Sequence, residues 1–145
     1  MSASRKIIVL DSSLVVSAIL SPKGTSALAL SLAVDKFELA SSKETIEELV
    51  EVLTRKKFDK YATEYERMER AEVYIQDTMQ FHVSITVTDC RDPKDNKFLA
   101  LARQANAVLI VSGDRQDLLS MNPYHTIKII GVREFIETYQ QYASL

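Results

Sequence analysis

Short apolar runs along the chain have the length and residue types of buried β-strands. A further segment, residues 81–88, alternates strictly between apolar and polar side chains, which predicts a strand with one covered face. Its place late in the chain favours the edge of a sheet. The other predicted strands cover residues 6–10, 37–40, 107–111 and 127–130.

Between these runs, apolar residues recur at the spacing of amphipathic helices. A capping box of Ser41 and Glu44 predicts the start of one helix, in which apolar residues recur from Ile46 to Leu53. A second capping box begins at Thr63. Besides the helix after Ser41, the predicted helices cover residues 12–20, 25–34, 63–80, 92–106 and 133–142.

Predicted strands and helices alternate along the chain. Such alternation is typical of an α/β domain with helices on both faces of a mainly parallel sheet, joined by right-handed crossovers. We therefore predict a three-layer α/β/α architecture with a central sheet of about five strands. The chain has 145 residues, of which 46% are hydrophobic, and we expect residues 1–145 to form a single domain.

Composition and charge narrow the possible partners and compartments. The formal charge of −2 gives no general attraction to nucleic acid, so any such contact must come from local basic patches. The single cysteine, Cys90, cannot form an internal disulfide, and the N-terminus lacks the pattern of a secretion signal. The apolar runs are far shorter than the ~20 residues of a membrane helix. We expect a cytoplasmic protein with no membrane span.

Two acids lie where a parallel sheet binds ligands. Asp11 directly follows the predicted strand at residues 6–10, and Asp114 comes shortly after the strand at residues 107–111. The carboxyl ends of parallel strands share one rim, and ligands bind in the crevice outside it. Taken singly, each residue is better explained as a turn or cap residue, for which aspartate is common.

A third acid, Asp95, lies on the face that its helix is predicted to bury. It precedes Phe98, Leu99 and Ala102 by three, four and seven residues. A buried carboxylate needs a cation, a metal or several hydrogen-bond donors beside it. The alternative is that Asp95 only complements the positive end of the helix dipole.

Carboxylates that converge without a counter-charge repel one another, and a divalent cation removes that penalty. Oxygen ligands of this kind suit Mg²⁺ or Mn²⁺. Zinc is disfavoured because Cys90, His82 and His125 show no ligand spacing. Helical periodicity places Glu48 opposite the apolar residues of its helix, so spacing alone predicts a solvated side chain there.

Four segments, in this order, resemble the sequence blocks of the PIN-domain family, especially the VapC-like prokaryotic toxins of toxin–antitoxin pairs. They are D-S-S-L-V-V-S-A-I-L from Asp11, E-E-L-V-E-V-L from Glu47, D-P-K-D-N-K-F-L-A-L-A from Asp92 and V-S-G-D-R-Q-D-L-L from Val111. Together they span some hundred residues. The glutamate before the leucine of the second block maps to Glu48, and the acid that opens the helix of the third maps to Asp95 rather than Asp92.

The resemblance implies a PIN-like fold and a metal-dependent endoribonuclease that cuts RNA. Its catalytic and metal-binding residues are Asp11, Glu48, Asp95 and Asp114, with Asp117 as an auxiliary acid and Mg²⁺ or Mn²⁺ as the cofactor. A homodimer and a cognate antitoxin partner are also implied. Around the acids, Ser12 and Ser13 are expected to support Asp11, although many relatives carry asparagine in place of Ser13, and the bases expected to contact RNA phosphates are Lys94, Lys97 and Arg115.

Two other readings compete with the nuclease. A catalytically silent RNA-binding or partner-binding domain would keep the fold and some of the acids. A phosphoacceptor receiver domain also has an α/β fold with an acidic metal pocket. Such domains pair acids after the first strand and carry a lysine after the last one, whereas Asp11 has no acidic neighbour and Ile130 leads to Gly131. The receiver alternative is therefore disfavoured.

Overall fold

A parallel β-sheet forms the centre of the computed structural model, which describes residues 5–144. Within these residues the sheet has five strands in the order β3-β2-β1-β4-β5, and every neighbouring pair is parallel. The predicted parallel sheet is thereby confirmed. The strands are β1 (Ile7–Leu10), β2 (Glu38–Ser42), β3 (Thr78–Phe81), β4 (Leu109–Ser112) and β5 (Lys128–Gly131).

Helices cover both faces of this sheet, as the alternating pattern predicted. The core on one face includes residues of α1, α2, α3, α4 and α7, and the core on the other includes residues of α5 and α6. Short 3₁₀ turns at Lys56–Phe58 and Pro93–Asp95 complete the connections. The helices are α1 (Ser12–Leu20), α2 (Thr25–Lys36), α3 (Lys43–Leu53), α4 (Glu64–Gln76), α5 (Asn96–Gln104), α6 (Gln116–Leu119) and α7 (Val132–Ala143).

Strand side chains fill the cores on both faces of the sheet. In β1, Ile8 and Leu10 belong to one core and Val9 to the other, and the residues of β4 divide in the same way. A strand buried on both faces is apolar throughout, which explains the continuous apolar runs in the sequence. Burying each such side chain contributes about 1.5–3 kcal/mol relative to leaving it exposed.

The strand order reverses beside β1, which places a crevice at the carboxyl ends of β1 and β4. From β1 the chain proceeds to β2 and β3 on one side, whereas β4 and β5 lie on the other. The backbone N–H of Asp11 donates to the carbonyl of Val111 at 3.0 Å, so the two strands stay joined up to this edge. Reversal points of this kind are where open α/β sheets bind their ligands.

The cap of α3 lies one residue later than predicted. Strand β2 continues through Ser42, whose hydroxyl accepts from the backbone N–H of Thr45 at 3.2 Å and closes the capping box. Ser41 stays in the strand, and its hydroxyl contacts Thr78 Oγ1 at 2.7 Å across to β3. The predicted box at Ser41 and Glu44 is therefore wrong, because sheet pairing extends two residues beyond the apolar run, through Ser42.

The alternating segment at residues 81–88 is not the strand that its pattern predicted. The edge strand β3 ends at Phe81, and α4 ends at Gln76, before the predicted limit of residue 80. The exposure of the side chains after Phe81 still alternates, and Val83 packs on the α5 side of the sheet. The Ser84 N–H donates to Oε1 of Gln104 at 3.1 Å. Packing against a helix thus produces the period of two, with no strand partner among residues 5–144.

Within residues 5–144 no single helix combines the length and apolar character needed to cross a membrane. Helices α1 and α2 meet the criterion only as a pair, by length and composition, and the chain bends by 113° between them.

Candidate functional site

Asp11 links the end of β1 to the start of α1 and is completely buried. Its Oδ1 accepts hydrogen bonds from the Leu14 N–H at 2.9 Å, the Ser13 hydroxyl at 2.8 Å and the Gly113 N–H at 3.1 Å. Its Oδ2 accepts from the Ser112 hydroxyl at 2.5 Å. Because Oδ1 is fully engaged, Oδ2 is the oxygen with capacity left for a further ligand.

Gly113 lets the end of β4 approach the start of α1. A Cβ at this position would lie 2.7 Å from the Ser13 hydroxyl oxygen and 2.8 Å from the backbone nitrogen of Leu14. Contacts that short would push the two segments apart and lengthen the hydrogen bond from Gly113 to Asp11. The absence of a side chain is therefore part of how the Asp11 carboxylate is held.

Glu48 projects from α3 toward the same edge, and its side chain is only 11% exposed. Its Oε1 lies 3.0 Å from Lys97 Nζ, and its Oε2 accepts from Arg115 Nη2 at 3.1 Å. Burial raises the pKa of Glu48, but a side-chain hydrogen bond with Ser12, the hydrogen bond from Lys97 and the charges of Arg115 and Lys97 together leave it below its usual value. Glu48 is thus stabilised as the carboxylate.

Asp95 ends the 3₁₀ turn before α5 and is 2% exposed. Its Oδ1 accepts a hydrogen bond from Arg115 Nη1 at 2.5 Å. Burial raises the pKa of Asp95; the Arg115 hydrogen bond and charge oppose the rise, while the charges of Asp92 and Asp11 add to it. The cation that an inward-facing carboxylate requires is here the side chain of Arg115.

Arg115 joins three carboxylates through one guanidinium group. Besides its bonds to Asp95 and Glu48, its Nε lies 3.9 Å from Asp11 Oδ2, and the guanidinium carbon is 5.4 Å from the centre of the Phe98 ring. Burial lowers the pKa of Arg115, but the Asp95 hydrogen bond and the charges of all three acids leave it raised. Acids from the end of β1, from α3 and from the start of α5 therefore share one positive group.

Two predicted acids lie outside this network. Asp114 is exposed, and among residues 5–144 it takes no part in the hydrogen bonds and ion pairs that join the other three acids. Asp117 is half-buried on α6, where its backbone carbonyl accepts from Cys90 Sγ and from the Ser120 hydroxyl. Within residues 5–144, no three His, Cys, Asp or Glu side chains are arranged to hold a metal ion.

Three supporting residues, Ser12, Lys97 and Arg115, have partners that the sequence did not predict. Ser13 donates to Asp11, whereas Ser12 acts on Glu48. Of the bases expected to contact RNA, Lys97 and Arg115 bind the acids, and Lys94 is exposed.

Sequence reasoning also missed Ser112, whose hydroxyl binds Asp11 and accepts from the Arg115 N–H at 3.1 Å. The signal that could have identified Ser112 is its position as the last residue of β4.

The buried face of α3 is rotated from the one that its apolar residues predicted. Thr45, Leu49 and Leu53 are its buried residues, and Val50 is 36% exposed. Glu48 lies beside this face rather than opposite it. Apolar spacing alone misplaced Glu48 because a capping threonine, not an aliphatic residue, occupies the first buried turn of the helix.

Comparisons with known proteins agree with this architecture. The chain is similar to the crystal structure of VapBC2 from Rickettsia felis bound to a DNA fragment from their promoter, at 14% identity, over 86% of this chain and 98% of that one, with a TM-score of 0.59. That likeness concerns the fold. None of the curated protein sequences matches the chain. A family model described as "PIN domain" matches residues 7–116, which include Asp11, Glu48, Asp95 and Arg115. The chain belongs to the PIN-domain family.

Proposed function

We propose that the chain is a metal-dependent endoribonuclease that hydrolyses phosphodiester bonds in RNA. PIN domains are generally nucleases. The observation that carries the proposal is the convergence of Asp11, Glu48 and Asp95 on one guanidinium at the carboxyl edge of the sheet. A point that binds a positive group through carboxylates from three separate segments is a suitable place for a divalent cation.

The donor set fits Mg²⁺ or Mn²⁺. Carboxylate oxygens are the ligands that these ions prefer, and Asp11 Oδ2, Glu48 and Asp95 supply them from one pocket wall. Asp114 and Asp117 are candidates for outer positions. When bound, such an ion supplies an activated water and neutralises charge that develops on the phosphodiester. Arg115 must turn away from the acids for them to serve as ligands.

The remaining residues of the pocket act by holding and orienting the acids. The donors on Oδ1 of Asp11 fix the direction of its other oxygen, Oδ2. Ser12 and Lys97 keep Glu48 ionised. Once released from the carboxylates, Arg115 and Lys97 are positioned to bind phosphate oxygens beside the reacting group, and Lys94 lies one turn from Lys97 on the exposed side.

We further propose that the chain is the toxin of a toxin–antitoxin pair and acts in the cytoplasm as a homodimer. The similarity of its fold to VapBC2 from Rickettsia felis supports an antitoxin as partner. The sequence blocks around the acids, which resemble those of such toxins, support the same assignment.

A catalytically silent domain is the second candidate, and Arg115 is the observation that favours it. An arginine held by three carboxylates already satisfies their charge. If the guanidinium stays in place, the acids are structural, and the domain binds RNA or a protein partner without cutting it.

Cleavage of a broad RNA pool separates the two candidates. The nuclease predicts cleavage in Mg²⁺ or Mn²⁺ that EDTA abolishes and that Asp11→Asn and Asp95→Asn remove. Asp35→Asn, an exposed acid at the end of α2, is the matched control and should cleave like the parent. Equal cleavage by the parent and by either site variant would refute the assigned site, and no cleavage by the parent would favour the silent domain.

A further inference from the structure

A groove opens beside the acid pocket, between α1 and the segment that follows α3. Its cavity has a volume of about 480 Å³. Ser12 and Arg115, which contact the acids, also line this cavity, so the groove and the acid pocket share a wall. The opposite wall carries Arg55, Lys57, Phe58 and Tyr61.

The far wall of the groove is basic although the whole chain is slightly acidic. Residues 55–60 read R-K-K-F-D-K, and all four bases are exposed. The one acid among them, Asp59, forms an ion pair at 3.1 Å with the buried Arg67. Arg55 pairs with Glu51 at 3.0 Å, but both groups are exposed, and such pairs exchange readily with other anions. Two of these bases, Arg55 and Lys57, line the groove itself, so its wall offers positive charge to a ligand.

Aromatic rings lie among these charges. Tyr61 is 58% exposed, and Lys60 Nζ is 5.2 Å from the centre of its ring. Phe58 is half-buried, with Lys57 Nζ at 5.1 Å from its ring centre. Exposed rings that alternate with cations are typical of surfaces that bind single-stranded nucleic acid, where bases stack on the rings and phosphates meet the charges.

The segment that carries these charges and rings, residues 55–61, is held in place by a buried arginine. The fully buried Arg67 donates through Nε to the carbonyl of Leu53 at 2.7 Å and through Nη1 to the carbonyl of Ala62 at 2.5 Å. Its Nη2 also reaches the carbonyl of Arg55 at 3.4 Å. One side chain thus ties both ends of the segment to α4. A surface held in this way loses little conformational entropy when it binds.

We propose that this groove binds single-stranded RNA, with Arg55 and Lys57 on its phosphates and Tyr61 stacked on a base, and that it leads the strand to the acid pocket. The choice of RNA and the destination of the strand rest on the proposed function. Stacking on Tyr61 requires an unpaired base, so a single strand is favoured over a duplex. An acidic peptide would match the charges of Arg55 and Lys57 but has no base to stack on the exposed ring of Tyr61.

Binding of a fluorescein-labelled 12-nucleotide single-stranded RNA to the full chain, followed by anisotropy in EDTA at several salt concentrations, tests the groove. Tyr61→Ala should weaken binding about tenfold, the usual loss for one stacked base. Lys57→Gln should reduce the slope of log affinity against log salt by about 0.7, as for one lost phosphate contact on a single strand. Lys128→Gln, at the start of β5 and outside the groove, is the matched control and should bind like the parent.

Two results would overturn the groove assignment. One is equal RNA binding by the parent, Tyr61→Ala and Lys57→Gln. The other is failure of the parent to bind RNA while a labelled oligoglutamate peptide binds and depends on Lys57. Because EDTA prevents metal-dependent cleavage, this assay measures binding alone. The groove proposal and the nuclease proposal can therefore fail independently of each other. RNA binding that depends on the groove, without cleavage in Mn²⁺, would refute the nuclease alone; cleavage with variant-independent binding would refute the groove alone.

Discussion

Arg115 Nη1 lies 2.5 Å from Oδ1 of Asp95, at the meeting point of three segments of the chain. The same guanidinium donates to Glu48 and faces Asp11. The protein therefore supplies an internal counter-charge for acids that would otherwise repel one another. Any divalent cation that binds these carboxylates must displace the guanidinium, so protein stability and metal binding are coupled at this site.

Arg115→Gln should reveal that coupling. In EDTA the variant should lose about 1–3 kcal/mol of stability, because Asp95 stays buried without its partner, and the partial exposure of Arg115 keeps the loss below that of a fully buried pair. Saturating Mn²⁺ should then raise its Tm more than that of the parent. Thermal unfolding with and without Mn²⁺ measures both effects.

The exposed Arg133→Gln is the control for this experiment and should change neither quantity. Adding Asp95→Asn to Arg115→Gln should restore part of the stability lost in EDTA. If the two changes are simply additive, Arg115 and Asp95 are not energetically coupled.

Gly113→Ala should damage the site without altering any polar side chain. The added Cβ would meet the backbone nitrogen of Leu14 and the Ser13 hydroxyl, so the Gly113 N–H must move away from Asp11. We expect a loss of about 1–3 kcal/mol on chemical denaturation. Gly131→Ala is the matched control, since a Cβ there meets nothing within 4 Å, and its effect should be smaller. Equal losses in the two variants would contradict the close approach.

The order of the elements could be predicted because each strand follows from local chemistry. Apolar runs with β-branched residues became the buried strands β1, β4 and β5, and alternation with helical stretches implied a parallel sheet. The alternating segment at residues 81–88 could not be placed in the same way. Its alternation reflects packing against α5, and whether a strand partner exists beside it depends on the tertiary fold.

Arg67→Met should destabilise the fold by about 2–4 kcal/mol, because the carbonyls of Leu53 and Ala62 lose their buried donor. Chemical denaturation measures this loss, and the exposed Arg133→Met provides the comparison. The segment at residues 55–61 should also become more sensitive to proteolysis. A parent-like stability and protease pattern would show that Arg67 does not hold this segment.

The ionisation of Glu48 should appear in the pH dependence of stability. Its pKa lies below the usual 4.5, so the folded protein binds this proton more weakly than the unfolded chain and the carboxylate favours folding. That contribution is complete above pH 4.5 and is lost as the pH falls through the folded-state pKa.

Glu48→Gln should therefore be less stable than the parent at pH 7, and the difference should shrink below pH 4.5. Denaturation in EDTA at the two pH values measures it. Glu47→Gln controls for the charge of the helix. A stability difference between the parent and Glu48→Gln that grows on acidification would contradict the lowered pKa of Glu48.

The site was only partly accessible from the sequence. Asp11 stands out because it follows a strand at the rim where parallel sheets bind ligands, and Asp95 because a carboxylate on a buried helix face is costly unless something binds it. Glu48 needed the resemblance, since the register of α3 follows the buried Thr45 rather than the aliphatic residues. The position of Arg115 depends on the reach of a long side chain from the end of β4 to α3 and α5, which no local pattern encodes.

The proposed cation site is tested most directly by Mn²⁺ binding, measured by calorimetry on the parent, Asp95→Asn, Glu48→Gln and Asp35→Asn. If the acids act as one site, the parent binds Mn²⁺ and Asp35→Asn binds it equally well. Asp95→Asn and Glu48→Gln should bind Mn²⁺ at least about tenfold more weakly, because loss of even an outer-shell partner lowers metal affinity by that factor. Binding that is unchanged in Asp95→Asn and Glu48→Gln would contradict the account.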